Sequence, residues 1–66
     1  MIATAIPRTV GVYSVHKLGQ GLREGIGVYE YDRYWQCEVH GAWVPSRQTG
    51  EPCEHIRLVL EAKETP

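Results

Sequence analysis

The stretch that decides the fold opens with Trp35-Gln36-Cys37-Glu38-Val39-His40 and closes with Pro52-Cys53-Glu54-His55-Ile56-Arg57-Leu58-Val59-Leu60. Both cysteines of the chain and two of its three histidines lie in these two flanks, as Cys37-x2-His40, twelve intervening residues, then Cys53-x-His55. A solvated histidine or a buried thiol is ordinary when it occurs singly. Two Cys/His pairs a short loop apart are the donor set and spacing of a structural zinc site, which closes with four sulfur and nitrogen ligands and leaves no position for water. The expected ligands of one Zn²⁺ are therefore Cys37, His40, Cys53 and His55. Gly41, Pro45, Gly50 and Pro52 punctuate the connector at 40–52 and let the chain turn back so that the pairs converge.

C-terminal to the second pair the hydrophobic period becomes helical. Ile56, Val59, Leu60 and Lys63 fall at i, i+3, i+4 and i+7, with Leu58 and Ala62 beside them and Glu54, Arg57, Glu61 and Glu64 mostly opposite. This predicts an amphipathic helix of about ten residues. Pro52 suits its first turn, Glu51 and Glu54 suit the positive end of its dipole, and Thr65 and Pro66 are expected to fray. N-terminal to the first pair the period is two. Ile26 and Val28 alternate with Tyr29 and Tyr31, and Trp35, Cys37 and Val39 share one face. Residues 26–39 thus read as a hairpin that turns at Asp32-Arg33. Thr9 to Val15 reads as a further strand and the glycine-rich 16–25 as a loop, with His16 solvated in it. The predicted class is α+β: an antiparallel hairpin or three-stranded sheet, then one C-terminal helix, stapled by zinc. One domain spans 1–66, with the finger proper at about 26–64.

Size explains the staple. A chain of 66 residues holds one domain, and a core of that size is marginal unaided. Binding of a structural zinc contributes on the order of 10 kcal/mol to the folding of a small finger. Two cysteines are too few for a secreted disulfide scaffold, and the intracellular reading disfavours a stable Cys37–Cys53 bridge. Met1 to Arg8 has too short an apolar run for a signal-peptide core, and no run approaches a membrane span. A soluble, cytoplasmic protein is expected. The formal charge is -1, so any contact with nucleic acid must be local.

Trp35-Gln36-Cys37, the Gly/Pro-rich connector and Pro52-Cys53-Glu54-His55-Ile56 resemble a SWIM-type zinc finger, whose pattern is Cys-x-Cys, a spacer, and Cys-x-His at the start of a helix. The likeness covers about residues 10–62, and the strands around Val12-Tyr13-Ser14-Val15 and Val28-Tyr29-Glu30-Tyr31 are similar to the hairpin that leads into such fingers. The second cysteine of the pattern falls on Val39, and His40 takes its place, giving Cys2His2 ligation. The resemblance implies a binding module for DNA or for proteins, in an accessory or regulatory role.

No catalytic residues are expected. Gly19, Gly21 and Gly25 do not satisfy a dinucleotide loop, and Ser14 and Ser46 sit in no nucleophile motif. A closed zinc site offers no open position for catalysis by Glu38 or Glu54. For nucleic acid the expected contacts are Arg23, Arg33 and Arg47, converging on one edge beside flexible glycines. The alternative is a protein-interaction finger that uses the acidic helix or a face built from Tyr29, Tyr31 and Trp43. Neither a small-molecule substrate nor a membrane is expected as a partner.

Overall fold

The computed structural model describes residues 1–45 and 50–64. The elements in chain order are β1 (Ile2–Ala5), β2 (Val12–His16), a single 3-10 turn (Leu22–Glu24), β3 (Ile26–Glu30), β4 (Trp35–Cys37), β5 (Gly41–Trp43) and α1 (Glu54–Glu64). The α+β class with one C-terminal helix is what forms. The sheet is larger than the three strands expected, with five antiparallel strands in the order β1-β2-β3-β4-β5. The fraying expected of Thr65 and Pro66 lies outside the described residues.

Register assigns the two faces of the sheet. Tyr13 pairs Val28, Val28 pairs Cys37, Glu30 pairs Trp35 and Trp35 pairs Trp43. Paired residues point to the same side, so Ala3, Tyr13, Val15, Ile26, Val28, Trp35 and Cys37 form the inner face. Helix α1 crosses this face and packs on β1 to β4. It buries Ile56 and Val59 against Val15, Val28, Trp35 and Cys37, and this six-residue cluster is the core. At about 1.5–3 kcal/mol for each fully buried aliphatic side chain, such a core leaves little margin over the entropy of ordering the chain.

The hairpin forms as its alternation predicts. The Tyr31 N–H donates to the Tyr34 carbonyl at 2.9 Å, which leaves Asp32-Arg33 as a two-residue turn. The far end of the helix is tied to the same hairpin. Lys63 Nζ lies 2.8 Å from Glu30 Oε2 and 5.2 Å from the centre of the Trp35 ring. The hydrogen bond to Glu30 holds the Lys63 ammonium above its ordinary pKa, although partial burial opposes it.

Two local expectations are corrected. Strand β4 ends at Cys37, so Val39 is not on the face of Trp35 and Cys37; it sits in the following turn and is exposed. His16 is not a solvated loop residue. It ends β2 and is 7% exposed on the outer face, where Thr4 Oγ1 lies 3.0 Å from its Nε2 and the Lys17 carbonyl 3.1 Å from its Nδ1. A carbonyl can only accept, so Nδ1 donates to it, and in the neutral ring Nε2 then accepts from the Thr4 hydroxyl. His16→Ala is accordingly expected to cost about 1–3 kcal/mol, from the loss of two part-buried hydrogen bonds at about 0.5–1.5 kcal/mol each. Denaturant melts of the variant will read this, and its metal content should stay unchanged.

Candidate metal centre

Three separate segments deliver the four ligand candidates. Cys37 closes β4 and is completely buried, so it is at once a core residue and a donor. His40 ends the turn at 38–40 that joins β4 to β5. That turn is fastened to β3 on both sides of Glu38, whose N–H donates to the Gly27 carbonyl at 3.0 Å and whose carboxylate accepts from the Gly27 N–H at 2.7 Å. Gly41 follows with φ 88°, a left-handed conformation that glycine adopts without steric cost, and the chain reverses into β5 just after His40. Cys53 directly precedes α1: its carbonyl accepts the first helical hydrogen bond, from the Arg57 N–H, at 2.9 Å. His55 is the second residue of the helix and is buried. The connector is pinned near its end by Trp43 Nε1–H, which donates to the Gly50 carbonyl at 3.0 Å, and Arg57 and Glu51 form an ion pair at 2.8 Å.

One donor atom from each of Cys37, His40, Cys53 and His55 lies within 4.8 Å of the others. The three separations among Cys37, His40 and His55 have the lengths of polyhedron edges. His40 Nδ1 and His55 Nδ1 are 3.2 Å apart, Cys37 Sγ and His55 Nδ1 3.5 Å, and Cys37 Sγ and His40 Nδ1 3.7 Å. Tetrahedral zinc, with nitrogen at about 2.0 Å and sulfur at about 2.3 Å, sets nitrogen–nitrogen edges near ~3.3 Å and nitrogen–sulfur edges near ~3.6 Å. The two imidazoles stack with centroids 5.0 Å apart and turn the same nitrogen, Nδ1, to the shared point. The outward Nε2 of His55 lies 3.8 Å from Glu54 Oε1. That is too long for a hydrogen bond, so the carboxylate acts on the ring only as a nearby negative charge.

Electrostatics points the same way. Burial pushes the Cys37 thiol above its ordinary pKa; hydrogen bonds from the His40 and Val39 backbone oppose this, and the neighbouring Cys53 adds to the rise. A thiolate in that position needs a counter-charge. A divalent cation among two thiolates and two neutral imidazoles supplies it, and the charges of the thiolates and the metal cancel. Both cysteines are free thiols, as ligation requires. The donors are not equally sheltered. Cys37 and His55 are buried, Cys53 is half-buried and His40 is exposed.

The other residues singled out from the sequence are dispersed. Arg23 lies in the 3-10 turn that precedes β3, and Arg33 in the turn that follows it, so the length of β3 separates them. Arg47 lies outside the described residues. Tyr29 pairs Gln36 on the outer face, whereas Trp43 pairs Trp35 on the inner one, so Tyr29, Tyr31 and Trp43 do not share a face. An aromatic feature the sequence reading missed stands at the hairpin tip. Tyr31 and Tyr34 flank the turn and stack with centroids 4.7 Å apart at 21°, both exposed. Their positions on either side of a two-residue turn were the available signal. Among the described residues no helix is long and apolar enough to cross a membrane. In comparisons with protein-family models, curated proteins and solved structures, none matches the chain.

Proposed function

We propose that this is a zinc-finger module of SWIM-like character in which one Zn²⁺, held by Cys37, His40, Cys53 and His55, ties the end of the sheet to the start of the helix, and that the stapled domain acts as a non-enzymatic docking unit. The convergence of four sulfur and nitrogen donors from β4, the β4–β5 turn and the head of α1 carries this reading. Zinc fits better than a hard cation because no carboxylate belongs to the donor set. Val39 stands where the SWIM pattern has its second cysteine and His40, one residue later, substitutes for it, while Cys53-x-His55 keeps that pattern's place at the helix start. Free thiol ligands suit a reducing, cytoplasmic setting.

For the partner, the exposed Tyr31–Tyr34 pair favours a protein, since exposed aromatic rings are typical anchors of interfaces. The helix carries Glu54, Glu61 and Glu64, which repel phosphate. The nucleic-acid reading rests on Arg23, Arg33 and Arg47 and would need a phosphate path that reaches both ends of β3. Titration with labelled single- and double-stranded DNA at low salt separates the two. The protein reading expects no saturable binding. Micromolar binding that weakens steeply with salt would favour nucleic acid. Tyr31→Ala with Tyr34→Ala is expected to leave folding within about 1 kcal/mol of the parent, and to weaken any bona fide protein partner at least tenfold, as read by titration calorimetry.

A further inference from the structure

The four donors differ in access. A cleft of about 340 Å³ beside the site is lined, among the described residues, by His40, Gly41, Ala42, Trp43, Glu51, Cys53 and Ile56. It therefore opens onto His40 and Cys53, the two sheltered least, while Cys37 and His55 lie behind them in the core. Both sulfurs belong to a cluster no more than 4.8 Å across, and both thiols are free. Closing a disulfide, with its ~2.05 Å S–S bond, asks for about 3 Å of approach at most. Cys53 sits on the non-helical residue ahead of α1 and outside every strand pairing; its carbonyl accepts the first helical hydrogen bond, from the Arg57 N–H, so the adjustment falls on its side chain and on the first turn of the helix.

We infer that the site is a redox-gated staple, in which a peroxide entering through the cleft oxidises Cys53 and the buried Cys37 then displaces the product to form an intramolecular disulfide, releasing the metal. The inference rests on the zinc reading and adds regulation to it. The Cys53 sulfur attacks one peroxide oxygen, the O–O bond breaks, and the leaving hydroxide takes a proton to become water. Cys53 is now a sulfenic acid. The Cys37 sulfur attacks it, the S–O bond breaks and a second water leaves, so two electrons pass from the sulfurs to the peroxide. His40 and His55 alone are too few to hold the metal at a four-ligand site. The disulfide joins the same two elements as the metal did, the end of β4 and the head of α1. Oxidation thus exchanges one staple for another and does not open the domain.

The test uses the zinc-loaded full chain, hydrogen peroxide, a chromophoric zinc indicator and intact-mass spectrometry. The expected result is one zinc released per chain together with a loss of about 2 Da and no change in chain number, both reversed by a thiol reductant with added zinc. Far-UV dichroism should change little. Iodoacetamide on the zinc-loaded chain should label Cys53 before Cys37, as mapped by peptide mass. Zinc release with a gain of about 32 Da, the mark of a sulfinic acid, would overturn the inference. So would a disulfide between two chains, or labelling of Cys37 first. Failure of the zinc reading shows separately, as a chain that takes up no zinc. Pairing is then judged on the metal-free chain by the same mass change, where the loss of about 2 Da supports it and the gain of about 32 Da contradicts it.

Discussion

Cys53→Ser is expected to abolish zinc retention and to unfold the domain at room temperature. The substitution exchanges a thiolate for a poor zinc ligand of nearly the same size, and Cys53 is only half-buried, so little packing is disturbed. The loss therefore reports ligation and not the core. Structural zinc contributes about 10 kcal/mol to small fingers, and a domain of this size has a net stability of roughly 3–10 kcal/mol. Removal of one of four ligands consumes most or all of that margin. His55→Ala should act in the same direction, with an added cost because the ring is buried. The control is chelation. With excess chelator the parent and Cys53→Ser should give the same trace, without a cooperative melt, because the thiol acts through the metal. If the variant and the parent melt together in zinc as well, Cys53 is not a ligand. Thermal melts by near-UV dichroism, with and without zinc, make the comparison.

Gly25→Ala is expected to be the most damaging substitution away from the metal. Gly25 lies between the 3-10 turn and β3, in extended backbone that any residue can adopt, with φ -87°. The constraint is space. An added Cβ would come within 2.6 Å of the Val15 carbonyl oxygen and 2.9 Å of His16 Cβ, and would collide with Ser14 Oγ. The first of these is backbone in the middle of the sheet, so no side-chain rotation relieves it. Ser14 cannot swing away freely either, because its hydroxyl donates to the Leu22 carbonyl at 2.7 Å. Overpacking of this kind costs about 1–3 kcal/mol and sometimes more. We expect about 3 kcal/mol here, the top of that range, since strand and turn must both shift. Gly21→Ala is the matched control, because its added Cβ meets nothing within 4 Å. Urea titrations of both variants in saturating zinc will show the contrast, and equal midpoints would refute the close approach.

The candidate metal site was legible in the sequence because it depends on residue type and short-range spacing. Cys37-x2-His40 and Cys53-x-His55 contain the chemistry, and a turn and a helix start suffice to aim each pair. The helix and the β3–β4 hairpin were legible through their periods. What escaped was decided by tertiary pairing. Strand β1, Ile2-Ala3-Thr4-Ala5, has two alanines and a short length, and it is a strand because β2 offers it a ladder. Strand β5 starts on a glycine and spans three residues, so its state derives from Gly41 and Trp43 pairing Cys37 and Trp35. The hold on His16 comes from Thr4 on β1, which the composition of 16–25 does not announce. The spread of Arg23 and Arg33 is likewise a matter of which end of β3 each turn occupies. The role of Gly25 follows from a backbone contact with β2 that no local pattern encodes.

Elemental analysis of the purified full chain, paired with its thermal melt in the presence and absence of a chelator, tests the central claim most directly. The account predicts one equivalent of zinc per chain and loss of the cooperative melt when the metal is stripped. Less than half an equivalent, with the same melt in chelator, would contradict it.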